Sequence, residues 1–338
     1  MQRQYVAIDL HRWRSVIVRE DQEGGELGVT RIVNSALALS QAIGEAGPCP
    51  PQVAIEATAG WYWAVDVLHE LGAEVHLVNP SGLAWGDRRV KNDYRDCCDL
   101  IERMRLGKLP EAWIAPPATR ELRELVRFRH KLMQMRTSLK VQVKAVVAKH
   151  GLRPPVNDLW GPGGTAYLNS LELPDAYHIK VESLRDLVEH ADREIETLEG
   201  VIHRRLVDDP GYQAIQAIHG VGRVLAAVFV AEIGDVSRFP TPGSLCSWAG
   251  LTPRHRESDT KVQRGHITKA GSTLVRWAAV EAISRIRGGP KLQADYHRIA
   301  DRRGRKIARV AVARKLLTLV YFGLRDGEIR CLTKAEAA

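Results

Sequence analysis

Two short apolar runs, each ending on a carboxylate, constrain this chain more than anything else in it. Tyr5, Val6, Ala7 and Ile8 lead into Asp9, and Val53, Ala54 and Ile55 lead into Glu56. Runs of this length bounded by polar residues read as buried strands, too short for helices. Each places its acid at the rim of a sheet, where a side chain faces a cleft. A third acidic group, Asp93, Asp96 and Asp99, follows at a spacing that keeps side chains on one side of a helix. Singly, each acid reads as a cap or a solvated charge, and Asp93 is placed to cap a helix at Tyr94. Together, strand-end and helix carboxylates form an oxygen-only donor set suited to Mg²⁺ bound with phosphate oxygens.

Around those runs the chain alternates strand and helix. Strands are expected at 5–9, 15–18, 29–33, 52–56 and 74–78, and helices at 36–43, 61–71 and 94–106. The order βββαβαβα is that of a ribonuclease-H-like nuclease fold, so the expected class is α/β over residues 1–115, followed by an all-α remainder.

Pro116 and Pro117 break the chain, and Thr119 is placed to cap a helix running to Lys149. Its apolar residues recur at intervals of three and four, while its other faces are basic and include Arg127, Arg129 and Lys131. That one-sided charge suits a phosphate backbone, a solvated face being the plainer alternative. Residues 151–174 are rich in proline and glycine and read as a loop. Val181, Leu184, Val188, Ala191, Ile195, Leu198 and Ile202 then repeat in 3,4 alternation, the seam of a coiled coil. Either a second copy or a helical hairpin within the chain can fill it. This basic helix and coiled coil make up a middle region, 116–207.

Residues 208–338 are helix-rich. In Ile218, His219, Gly220, Val221, Gly222 the two glycines fit the turn of a helix–hairpin–helix, where backbone N–H groups at a helix start cradle phosphate. A tight turn that binds nothing is the alternative. A polar, basic loop is expected over 251–271, then closing helices over 272–286 and 305–324, separated by Gly288, Gly289 and Pro290.

Charge narrows the partner class. The chain of 338 residues carries 49 Lys and Arg against 40 Asp and Glu, a formal charge of +9, which favours nucleic acid over membrane. Five cysteines without a paired spacing read as reduced thiols, and neither a secretion signal nor a membrane span is expected. The expected setting is the cytoplasm.

Ser258 is a second candidate centre. Arg254, His255 and Arg256 precede it, and Lys261, Arg264, His266 and Lys269 follow. Cationic groups there would hold a phosphate and stabilise charge built up during attack, and a hydroxyl among them could become linked to DNA. A phosphate-binding loop with a passive serine is the alternative.

The motifs AIDLH with Asp9, IEATAGWY with Glu56, KNDYRD with Asp93 and Asp96, IHGVG, AGLTPRHRES and TKAGS together resemble the DEDD-type transposases of the insertion-sequence 110 family. The resemblance spans roughly residues 5–325. It implies a RuvC-like N-terminal domain, a linking coiled coil and a C-terminal transposase domain over 208–338. It further implies a metal-binding tetrad of Asp9, Glu56, Asp93 and Asp96, with Mg²⁺ as the cofactor and Ser258 as the nucleophile that links to DNA. The implied partners are donor and target DNA, a structured bridge RNA that pairs with both, and further copies of the chain in a dimer or tetramer. Competing readings are a resolvase-like nuclease using water with Ser258 inert, a kinase of the actin-like fold, and a non-catalytic nucleic-acid scaffold.

Overall fold

Alternating side chains explain the first layer of structure. In the computed structural model, which describes residues 3–83, 92–258, 261–286 and 290–333, the chain divides into two compact units at residues 114 and 115.

The first unit is built on a five-stranded sheet of β1 (Tyr5–Leu10), β2 (Arg14–Glu20), β3 (Glu26–Val33), β4 (Gln52–Glu56) and β5 (Glu74–Val78). The strand order is β3-β2-β1-β4-β5, with β1, β2 and β3 antiparallel and β1, β4 and β5 parallel. Helices α1 (Ala36–Gly44), α2 (Trp61–Glu70) and α3 (Asp93–Arg105) complete the unit. Val6, Ile8 and Leu10 of β1 and Val53 and Ile55 of β4 share a core with Leu39 and Ile43 of α1 and Val65 and Leu68 of α2. Ala7 and Ala54, the residues of opposite pleat, share a second core with Cys97, Leu100, Ile101 and Met104 of α3. The sheet is therefore covered on both faces, and its small alanines lie under α3.

The second unit is mostly helical. Its first helix, α4 (Pro117–Lys149), begins two residues before Thr119, with proline at the first turn, so Thr119 is not its cap. Proline lacks the N–H that a cap would satisfy. The expected loop over 151–174 contains a short helix, α5 (Pro162–Asn169), also started by proline. The heptad segment is α6 (Asp175–Leu206), and its seam is filled from within the chain. Arg129 pairs with Glu199 at 2.5 Å, and Arg136 pairs with Asp192, so residue numbers fall along α6 as they rise along α4. The two helices form an antiparallel hairpin. Phe128 and Met135 of the α4 apolar series are half exposed.

Beyond the hairpin come α7 (Pro210–Gln216), α8 (Arg223–Ile233), α9 (Pro242–Trp248), a two-stranded ribbon of β6 (Pro253–Ser258) and β7 (Lys261–Ile267), then α10 (Thr273–Ser284), α11 (Pro290–Arg303), α12 (Arg305–Asp326) and α13 (Arg330–Thr333). The apolar α8 lies at the centre, with Leu225, Ala226, Phe229 and Ile233 buried against α10 and α12 residues such as Ala279, Val312 and Leu316. Two expectations are corrected here. The segment read as a loop over 251–271 forms the antiparallel ribbon, and α11 stands between the two closing helices, where no helix was expected. Leu292, Tyr296 and Ile299 hold α11 to the core at helical spacing. Lys91, Gly288, Gly289 and the side chains of Arg256, Lys261 and Arg264 lie outside the described residues. No described helix is long and apolar enough to cross a membrane.

Candidate active-site carboxylates and the serine ribbon

The sheet brings the first two acids together. β1 and β4 are parallel neighbours with Ile8 opposite Ile55, so Asp9 and Glu56 stand one residue further on at the same strand ends. Both have the pleat of the alanines and fall on the face covered by α3. Helix α3 starts at Asp93 because Asn92 is its cap, the side-chain oxygen accepting from the Tyr94 N–H at 3.1 Å. Asp93 is thus relieved of the capping role considered for it. Asp96 follows one turn on and is buried.

A residue not foreseen joins them. His11 lies just past β1, and its Nε2 is 3.3 Å from Asp9 Oδ2 and 3.5 Å from Asp93 Oδ2. Its backbone is fixed by the His11 N–H donating to the Arg14 carbonyl at 3.1 Å and by Asn34 Nδ2 donating to the His11 carbonyl at 2.7 Å. The oxygens of Asp9 and Asp93 and the His11 nitrogen lie within 4.8 Å of one another. Two carboxylates and an imidazole from separate segments are a donor set that fits a divalent cation. Behind them Cys97 is fully buried, donating to the Val16 carbonyl at 3.7 Å. Burial and the adjacent Asp9 charge push its thiol far above the ordinary value, so it stays protonated. The signal for His11 was present in the sequence: a residue two past Asp9 on extended backbone falls on the same face.

The serine ribbon is organised from its base. Ser258 closes β6 opposite Lys261 and is exposed, and Arg254 and His255 on the same strand are exposed too. His255 and Ser258 are three residues apart on a pleated strand and so point to opposite faces. Lys269 is two residues beyond β7, at the ribbon's other end, and adopts a left-handed φ of 56°. The expected cationic cluster is therefore spread along the ribbon.

At that base the backbone crosses itself closely. The Thr268 N–H donates to the Thr252 carbonyl at 2.9 Å and the Lys269 N–H to the Gly250 carbonyl at 3.1 Å. Arg276 of α10 buckles the crossing: its Nη1 donates to the carbonyls of Ala249 at 3.1 Å, Gly271 at 3.2 Å, and Ala270. Burial lowers its pKa from the usual arginine value. Sequence reading missed Arg276, since a lone arginine in an apolar helix announces no partner.

The remaining sequence candidates have structural surroundings of their own. Gly220 has φ 91°, and a Cβ there would stand 2.3 Å from the Ala282 carbonyl oxygen, so the residue seats α10. Gly222 is the exposed N-cap of α8, with open space around it. Arg127 grips the buried Glu232 of α8 through Nε at 2.6 Å and Nη2 at 3.2 Å. Arg129 is engaged by Glu199, while Lys131 is exposed.

Comparison with known proteins agrees at both ends of the chain. Residues 212–297 match the model of the transposase IS116/IS110/IS902 family, and residues 6–151 match a second transposase model, of the DEDD IS110 kind. A Sinorhizobium fredii protein assigned as a transposase is 30% identical over 239 residues, covering 70% of this chain. The chain spans 59% of that relative's length. The transposase for insertion sequence element IS1328 of Yersinia enterocolitica is 25% identical, over 82% of this chain and 81% of its own length. The transposase for IS1111A of Coxiella burnetii is 23% identical, over 91% and 86%.

Proposed function

This chain belongs to the IS110-type family of DEDD transposases, and on that premise we propose that it cuts and rejoins DNA through two centres, the strand-end carboxylates and Ser258. One observation carries the reading: Asp9 and Glu56 close adjacent parallel strands on the face where α3 supplies Asp93 and Asp96. The strand order β3-β2-β1-β4-β5, with the first three antiparallel, supports a ribonuclease-H-like, RuvC-like assignment for this unit.

Asp9, Glu56, Asp93 and Asp96 would hold Mg²⁺, which when bound neutralises phosphate charge and lowers the pKa of a coordinated hydroxyl. Ser258 would supply the attacking oxygen. Its Oγ forms a bond to phosphorus, the bond to the leaving deoxyribose oxygen breaks, and the serine proton ends on that leaving hydroxyl. Rejoining runs the same exchange backwards with the hydroxyl of the new partner strand, so no external energy source is needed. The exposed position of Ser258 near the end of a ribbon suits an approach to duplex DNA. Arg254, His255, Arg256, Arg264 and Lys269 would position the phosphate backbone along that ribbon, and Gly222 offers N–H groups at the start of α8.

The proposal extends to the partners. Donor and target DNA would be selected by pairing with a structured RNA, and further copies of the chain would complete the synapse. The absence of a zinc finger or other base-reading module from the sequence is compatible with choice by base pairing.

A covalent-trapping assay tests the mechanism. The protein, RNA transcribed from the flanks of its gene, labelled donor and target DNA and Mg²⁺ are mixed, quenched in denaturant and run on a denaturing gel. A protein-linked DNA band lost in both Ser258→Ala and Asp9→Ala is expected. Free cleaved ends that persist in Ser258→Ala and vanish in Asp9→Ala would overturn the serine step and leave a nuclease using water.

A further inference from the structure

The donor set around Asp9 is not made of carboxylates alone. Resting on the carboxylate-site reading above, we propose that His11 is a nitrogen ligand of that metal site and makes it prefer Mn²⁺ to Mg²⁺.

Geometry supports the assignment first. Adjacent ligands held about 2.1 to 2.2 Å from an octahedral ion stand about 3 Å apart. The His11 Nε2 separations of 3.3 Å to Asp9 Oδ2 and 3.5 Å to Asp93 Oδ2 need only a small contraction to reach that value. His11 also bridges the two elements that carry the acids, standing between the end of β1 and the first turn of α3. Its backbone is anchored on both sides, by the turn to Arg14 and by Asn34, whose own side chain accepts from Ser15 Oγ at 2.6 Å. The imidazole itself is 56% exposed, so an ion can reach it without opening the core.

Chemistry supplies the selectivity. Mg²⁺ is hard, takes oxygen ligands and dehydrates reluctantly, while imidazole nitrogen suits transition ions. Mn²⁺ accepts both carboxylate oxygen and imidazole nitrogen. Replacing one water by His11 therefore strengthens Mn²⁺ binding and does little for Mg²⁺.

The test reads the metal directly. Mn²⁺ is titrated into the full-length protein and followed by electron paramagnetic resonance, with pulsed spectra recorded for ¹⁴N modulation and Mg²⁺ added as competitor. Wild type is expected to show imidazole ¹⁴N modulation. His11→Ala is expected to lose it, with Mn²⁺ affinity falling about tenfold and Mg²⁺ affinity changing less than about twofold. Modulation that persists in His11→Ala with an unchanged Mn²⁺ to Mg²⁺ ratio overturns the proposal and leaves the carboxylate site standing. Mn²⁺ binding that is unaffected by Asp9→Asn overturns the carboxylate reading itself. Far-UV circular dichroism checks that each variant is folded.

Discussion

Gly271 lies against Trp248 at a separation that no other residue allows, because a Cβ on it would stand 1.9 Å from the Trp248 carbonyl oxygen. Its φ of 63° is also one that L side chains avoid. Gly271→Ala should lower unfolding stability by more than about 3 kcal/mol, clash adding to backbone strain. Gly151→Ala isolates the strain: φ is 65°, but nothing lies within 4 Å, so about 1 kcal/mol is expected. Denaturant midpoints of the two variants check the difference.

Arg276 holds the same crossing from the other side. Arg276→Ala leaves the carbonyls of Ala249, Ala270 and Gly271 without their shared donor. A loss of about 2 kcal/mol is expected, together with faster hydrogen exchange at the Thr268 and Lys269 amides. Arg276→Lys should restore only part of it, since one ammonium can replace Nη1 at the carbonyls but not Nη2, which donates to Thr273 Oγ1 at 3.1 Å. Exchange at those amides as slow as in wild type would show that the ribbon base does not depend on the buckle.

Glu232 is 4% exposed and charged, held by Arg127 and by Ser272 Oγ at 2.8 Å. Burial opposes ionisation, but the Arg127 hydrogen bonds and charge, with Ser272 and Arg123, outweigh it and set the carboxyl below its ordinary value of 4.5. A lowered folded pKa contributes stability that is present above 4.5 and lost as pH falls through the folded value. Thermal midpoints of wild type and Glu232→Gln should therefore differ most above pH 4.5 and converge as pH falls below it. At pH 7, Arg127→Ala should cost about 2 kcal/mol, below the usual figure for a fully buried pair because Arg127 is half exposed.

Ala54 fixes how near α3 comes to the strand ends. Ala54→Leu inserts bulk among Ala7, Cys97 and Ile101, and overpacking of about 1 to 3 kcal/mol is expected. With α3 displaced, Asp93 and Asp96 move away from Asp9 and Glu56. Mn²⁺ affinity should fall although no acid has been touched. A variant that loses stability but binds Mn²⁺ as wild type does would show that the helix can shift without disturbing the acids.

Much of the acidic centre was legible in the linear chain. Uninterrupted apolar runs mark β1 and β4 as strands buried on both faces, and the pleat says which residues share a face, so Asp9 and Glu56 were identifiable as strand-end acids. The 3,4 repeat from Val181 to Ile202 likewise requires a helix with one apolar seam, whatever fills it. These are local properties, carried by backbone geometry and by the need to remove apolar area from water. Pairing is not local. That β1 and β4 are neighbours, that α4 fills the α6 seam, and that Arg127 and Arg129 meet carboxylates of the same chain all depend on distant residues, 47 positions away for Ile8 and Ile55 and 105 for Arg127 and Glu232. The ribbon at Ser258 escaped sequence reading for a related reason. Its first strand is polar or charged at nearly every position, so no apolar alternation marks it, and cross-strand hydrogen bonds with the Arg276 buckle hold it instead. Tertiary structure alone decided those partnerships, because a side chain's charge or size states what it needs but not which distant segment will supply it.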